Sequence, residues 1–311
     1  MKPNILFPQQ IDILPDDLLK SQKTWKWNKI RPWITLISGF IIITLSVYAF
    51  SFLINDKLDW SILLYLNPDV AIPVVDDLMI LITDFSIPLF GLALLSHQIT
   101  CLALRTDRIA KKGVMKCLKI MGLIFSLMTC SAYFWAGYEH RLIFFPLAFI
   151  LFGAFLLLSE RMNHYTGETI RQFNGLFWIT LLSTFLTELS VEKIIKELVT
   201  HARPLSDVYA AYNIGLRTVA DEVVRGGYSY VAGQSAILFA MITPLIWFTP
   251  NRWFKAGLFA WGLFHAFTRV YLAAHFPYDS LMGAILGFSM ATVAVKAFRV
   301  LENKEEAPAG D

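Results

Sequence analysis

Three short stretches in the second half of the chain carry side chains able to do chemistry. In KELVTHARP, Lys196 and Arg203 stand seven residues apart, about two helical turns, so both would lie along one helix face. Pro204 then stops or bends the chain. Glu188 and Glu192 precede Lys196 by eight and four residues, and a partly buried carboxylate there would hold the ammonium in position. Taken alone, the two cations read equally well as snorkelling interfacial residues. In TRVYLAAHFPYD, Arg269 falls inside an apolar run, where a cation normally faces a polar cavity or a partner. His275 follows six residues later and Asp279 four after that. Across the Pro277 turn, this spacing lets the carboxylate bond one imidazole nitrogen, which fixes the tautomer and frees the other to attack. An interfacial histidine beside a helix N-cap aspartate explains the isolated pair as well. Between these stretches, YSYVAGQSAILFA starts a helix at Gln234, just after Gly233.

The rest of the chain must bring these pieces together. Its 311 residues are 56% hydrophobic and 16% charged, with mean hydropathy +0.54. That excludes an ordinary soluble domain and points to an all-α integral membrane protein. Runs able to cross a bilayer, which takes roughly 17–25 helical residues, fall near 33–54, 78–104, 115–138, 142–159, 175–198, 234–249, 254–274 and 278–298. The expected domain organisation is a cytoplasmic segment 1–32, a transmembrane domain 33–298 and a cytoplasmic tail 299–311, whose last ten residues, ENKEEAPAGD, are expected to be disordered. Residues 1–32 lack the apolar core and cleavage site of a signal peptide. Cys101, Cys117 and Cys130 show no CxxC spacing and read as small buried hydrophobes. No metal site and no nucleic-acid partner is expected.

With both termini in the cytoplasm, 19 of the 27 Lys and Arg fall on the inner side, as the positive-inside rule requires. The other eight are Lys57, Arg141, Lys193, Lys196, Arg203, Arg217, Arg225 and Arg269, and orientation alone gives no reason for them. Spans five and seven then run outward and spans six and eight inward. Lys196, Arg203, Gly233, Gln234, His275 and Asp279 therefore approach one outer surface, with Arg269 somewhat deeper. Three cations, a nucleophile with its orienting acid, and the N–H groups of a glycine-led helix start suit an anion. An anion with three equatorial oxygens and an electrophilic centre is phosphoryl.

K-x6-RP (Lys196 to Pro204), a glycine-led helix start and [S/T]R-x5-H-x3-D (Thr268 to Asp279) together resemble the three-part signature of the type-2 phosphatidic acid phosphatase superfamily. Its members are membrane enzymes sharing a helical core with soluble acid phosphatases and vanadium haloperoxidases. The resemblance covers roughly 175–298, the catalytic half, and a first pair of spans with LDWSILLYLN and LITDF. It implies a six-helix core, metal-independent catalysis without a cofactor and a phosphohistidine intermediate. It also implies His275 as nucleophile, Asp279 as its orienter, and Lys196, Arg203 and Arg269 as phosphate ligands. Two features depart from the family. The spans within 115–159 form an additional pair, whose even number preserves the sidedness of the site. The middle motif PSGH is replaced by Val231, Ala232, Gly233 and Gln234, so the general-acid histidine is a glutamine.

A general acid is worth typically 10²- to 10⁴-fold. A lipid phosphate monoester must expel an alkoxide, whose conjugate acid has a pKa near that of water, about 15.7. A lipid diphosphate expels a phosphate monoester, whose second pKa is about 6, and needs no proton. The Gln234 amide can donate a hydrogen bond but cannot hand over a proton. Transfer to a lipid phosphate acceptor, already an anion, would also avoid the need for a base. The expected activity is that of a lipid, preferably polyprenyl, diphosphate phosphatase or phosphotransferase at the periplasmic face of a bacterial inner membrane. The alternative is a silent relative that binds a phosphorylated lipid or scaffolds other membrane proteins. His201 is the best substitute acid, although helical geometry would place it on another face from Arg203. Residues 207–225 suggest a short amphipathic helix at the interface. Asp84 and His265 are further ionisable groups within spans, and His265 is spaced to support Arg269.

Overall fold

The computed structural model describes residues 15–67, 69–104, 120, 123, 167–209, 216–219 and 227–305. Among these residues it is helical, with one isolated antiparallel bridge, Ala202 to Tyr228. The helices are α1 (Pro15–Phe50), α2 (Asp56–Leu66), α3 (Pro73–Leu104), α4 (Gly167–Ser190), α5 (Gly233–Phe248), α6 (Arg252–Tyr271) and α7 (Pro277–Glu305). A π-helical turn, Val191–Ile195, and an α-helical turn, Lys196–Val199, extend α4.

Among the described residues, three helical segments are long and apolar enough to cross a membrane: Ile30–Leu53, Pro73–Leu95 and Pro277–Phe298. Helix α5 is apolar but shorter. Ile34, Ile37, Ile41, Ile42 and Leu45 on α1 and Trp178, Leu181 and Phe185 on α4 are exposed. Such broad apolar faces suit lipid rather than water, and the chain is a membrane protein. The expected pair of spans within 115–159 lies outside the described residues, apart from Ile120 and Leu123. The expected boundary at 32/33 falls inside α1, which continues through Pro32. The stretch ENKEEAPAGD, expected to be disordered, is helical in its first four residues, as far as Glu305, because α7 runs on past its apolar stretch.

Helices α5 and α7 form the centre of the bundle, and glycines set their approach. A Cβ on Gly287 would lie 2.0 Å from the Ala236 carbonyl oxygen, and one on Gly283 would lie 2.5 Å from that of Ala232. Only a residue without a side chain fits either place, which is how small residues four apart let membrane helices touch through their backbones. The close approach aligns the helix starts: the Ala232 N–H donates to the Asp279 carbonyl at 3.1 Å. Around this pair, Val47, Val191, Ile195, Tyr230, Ala236, Leu286 and Met290 form a buried cluster. The Tyr230 hydroxyl donates to the Val47 carbonyl at 2.6 Å, tying the approach to α5 onto α1.

Helix α2 lies over the end of the bundle that carries the charged residues. Asn55 caps it by accepting the Leu58 N–H at 3.2 Å. Its Trp60 packs edge-on against Phe276 and Tyr209, with ring centroids 5.3 and 5.5 Å away. Beside it, Arg217 donates to both carboxylate oxygens of Asp76 at 2.7 and 2.8 Å, a bidentate geometry that gives this pair its directionality. Asn67 accepts the Arg217 N–H at 2.7 Å and donates to the Tyr271 carbonyl at 2.8 Å. This pairing fixes Leu216–Val219 above the helix ends. The interfacial helix expected over 207–225 is not what its described parts form: Asp207–Tyr209 is a 3-10 turn and 216–219 is non-helical. The Asn67 side chain takes both the Arg217 N–H and its carbonyl, the backbone groups that a helix would pair internally.

Candidate active site

The route to the first two cations differs from a shared helix face. The helix ends at Val199, because Thr200 takes the left-handed conformation with φ 49°. Arg203 lies in the loop beyond. The seven-residue spacing therefore does not act through helical periodicity; chain reversal brings the two side chains to one site. The loop is held by the Ala202–Tyr228 bridge and by the Ser229 N–H, which donates to the His201 carbonyl at 2.6 Å. Lys196 is 9% exposed and is paired with Glu192. The π-helical turn directly precedes it, and such turns re-aim side chains at functional positions.

Beyond Arg269 the chain folds back on itself. The N–H groups of Ala274 and His275 both donate to the Arg269 carbonyl, at 3.0 and 3.2 Å. Ala273, at φ 53°, makes this reversal. Arg203 reaches the same segment, with a long 3.5 Å contact from its Nη1 to the Ala274 carbonyl. Arg203, Arg269 and His275 thus lie within a side chain's reach of one another.

His275 is 2% exposed. Its Nδ1 donates to the Ser229 carbonyl at 2.9 Å, which leaves Nε2 as the lone-pair nitrogen. Burial, then the charges of Arg203, Arg269 and Lys196, hold its pKa well below the ordinary imidazole value. The shift favours the uncharged ring, the form in which imidazole has a lone pair to offer. The Arg203 guanidinium is itself pulled down by burial, with Glu192 and Asp279 opposing that shift.

Asp279 does not bond His275 directly, contrary to the expectation from their spacing. Its Oδ2 accepts the Ser229 hydroxyl and the Phe276 N–H, the latter at 3.3 Å. The Ser229 hydroxyl lies 3.3 Å from His275 Nδ1. The reason is positional: Pro277 begins α7, so Asp279 sits in its first turn and faces the loop carrying Ser229. Asp279 is linked to the imidazole through Ser229, which none of the sequence motifs marks. Ser229 lies outside any helical or strand periodicity, and its only signal was its nearness to the glycine-led helix start.

Asp279 Oδ1 faces His201 Nδ1 at 3.6 Å, and the other ring nitrogen, Nε2, is 3.6 Å from Asp56 and 3.5 Å from the Tyr209 hydroxyl. Burial lowers the His201 pKa, but Asp279, Asp56 and Asp59 together raise it above the ordinary value. The expected difference in helix face between His201 and Arg203 does not apply, since neither is in a helix. Both His201 nitrogens face acids or a phenol on the Nδ1 side of His275. Asp59, which accepts the Tyr278 N–H at 3.0 Å, has its pKa pushed up to about 6 chiefly by burial.

Gly233 is the first residue of α5, where backbone N–H groups lack intrahelical acceptors. A Cβ there would meet Glu192 Oε1 at 3.1 Å and Lys196 Nζ at 3.8 Å. Gln234 follows it, partly buried, and its Oε1 has no hydrogen-bond partner among the described residues. The Nε atoms of Arg203 and Arg269 likewise have none. Deeper in the bundle, His265 is buried one turn before Arg269, and Thr268 bonds Thr83.

Among the described residues, fold and site together define a helical membrane protein with cations gathered around a buried histidine. Residues 174–302 match the model of the PAP2 superfamily. The chain is also similar to a curated lipid A 4'-phosphatase of Bacteroides thetaiotaomicron, 32% identical over 62 residues. That match spans 20% of this chain and 28% of the relative's length. No solved structure matches.

Proposed function

We propose that the protein is a membrane lipid phosphatase or phosphotransferase acting on a lipid diphosphate, preferably a polyprenyl diphosphate. Its site faces the periplasm, and the reaction passes through phosphohistidine. The observation that carries this reading is a buried His275 with Nδ1 committed to the Ser229 carbonyl, set among Lys196, Arg203 and Arg269. In the first step Nε2 attacks the terminal phosphorus, and the bond to the bridging oxygen breaks. The lipid monophosphate leaves as an anion. The cations and the N–H groups at Gly233 and Gln234 stabilise the charge on the three equatorial oxygens. No proton is needed for this departure, which fits the amide at position 234. Water or a lipid phosphate then takes the phosphoryl group.

The relative's name adds lipid A phosphate to the phosphorylated lipids worth testing. The deciding assay offers purified protein farnesyl diphosphate, phosphatidate and lipid A in parallel, with and without a lipid phosphate acceptor. Release or transfer from the diphosphate alone supports the reading. Equal turnover of all three would mean that a substitute acid serves the leaving group. No turnover of any, with lipid binding unaffected by His275→Ala, would favour the silent relative that the lost histidine also suggests.

A further inference from the structure

The proposed reaction leaves one proton unassigned. Transfer to an anionic acceptor needs no base, but hydrolysis of phosphohistidine requires a group to accept a proton from the attacking water. Gln234 cannot accept it. Asp279 and Asp59 each give one oxygen to hydrogen bonds that hold the loop and the start of α7. Glu192 lies beside Lys196 and the start of α5. Its Oε1 bonds the Lys196 ammonium and would meet a Cβ on Gly233 at 3.1 Å, so it stands at the edge of the phosphate cradle itself. Its side chain is 39% exposed, which leaves it open to water.

We propose that Glu192 is the general base of the hydrolytic half-reaction, in place of the histidine absent at position 234. The inference rests on the phosphohistidine reading above. A carboxylate beside a bound phosphate is electrostatically costly, and a role that requires it to become protonated gives a reason for its place. Water adds its oxygen to phosphorus and gives one proton to Glu192. The phosphorus–Nε2 bond breaks, its electron pair returns to the imidazole, and hydrogen phosphate departs. Glu192 then releases the proton to solvent. Gly233 is part of the same device, because any side chain there would press on the carboxylate.

The test is a single-turnover experiment with farnesyl diphosphate radiolabelled on its terminal phosphorus. Formation and breakdown of the phosphoenzyme are followed separately in the wild type, Glu192→Gln, Gln234→His and the double variant. In Glu192→Gln, formation should be little changed and breakdown in water should slow by about 10²- to 10⁴-fold. Transfer to a lipid phosphate acceptor should persist, and adding Gln234→His should restore hydrolysis. If Glu192→Gln does not fold, Gln234→His and Glu192→Asp carry the test. Gln234→His should speed breakdown, and Glu192→Asp should slow it without slowing formation. Unchanged breakdown in Glu192→Gln would overturn the proposal while leaving phosphohistidine intact. Slowed formation with normal breakdown would also overturn it, since Glu192 would then serve only to hold Lys196. Absence of any phosphoenzyme in the wild type would overturn the underlying reading and this one with it.

Discussion

The two sides of His275 are built on opposite plans. On the Nδ1 side, the Ser229 carbonyl and hydroxyl, Asp279 and His201 form a linked chain out to Asp56 at the surface. Among the cations near His275, by contrast, stand donors with capacity to spare: Lys196 beyond its Glu192 bond, both guanidinium Nε atoms and the start of α5. A buried donor without a partner carries a free-energy cost that an anionic ligand can offset. On the proposed function, the first set holds the nucleophile and the second receives the charge.

Substitutions should separate these roles. The largest effect belongs to the residue between them: His275→Ala should lower turnover by about 10⁴-fold or more with no phosphoenzyme formed. On the charge-receiving side, Arg203→Ala or Arg269→Ala should each cost about 10²- to 10³-fold in kcat. Both should also raise KM, because these cations meet phosphate in the ground state too. Ser229→Ala should lower kcat by less, about 10-fold, and leave KM near its wild-type value. It removes the link to Asp279 while the carbonyl bond to Nδ1 remains. An equal fall in kcat and rise in KM for Ser229→Ala and Arg269→Ala would erase the contrast.

Two smaller effects concern pH and stability. The His201 pKa is raised in the folded protein, so its stabilising contribution is complete below the ordinary value of 6.5 and is lost as pH rises through the folded value. Melting scans of His201→Asn should therefore show a deficit at acid pH that shrinks toward alkaline pH. Asp59 runs in the same direction, because burial raises its pKa too. Its contribution is present below 3.8 and lost as pH rises through about 6. Asp59→Asn, whose amide oxygen can still accept the Tyr278 N–H, should then raise the melting temperature at pH 7 and have little effect at pH 4.

The sequence was most informative where chemistry is written in spacing. Lys196, Arg203, Arg269, His275 and Asp279 could each be named, because their motifs keep a fixed order along the chain. Their connections were harder to read. Helical periodicity was applied to Lys196 and Arg203 beyond Val199, where a left-handed Thr200 had already ended the helix. A four-residue spacing suggested that Asp279 touches His275, yet a loop 50 residues away in sequence supplies the intervening Ser229. Gly283 and Gly287 look unremarkable in an apolar run, but their value depends on the backbone of α5 lying against them. Such through-space partners leave no local pattern. The helix pair expected within 115–159 belongs to the part of the chain outside the described residues, apart from Ile120 and Leu123.

The most direct test of the two-sided site is the chemical position of the trapped phosphate. Wild-type protein quenched in alkali after brief exposure to farnesyl diphosphate should carry one phosphate on His275, attached at Nε2, as phosphorus NMR and peptide mapping would show. Attachment at Nδ1, on another residue, or nowhere would contradict the account.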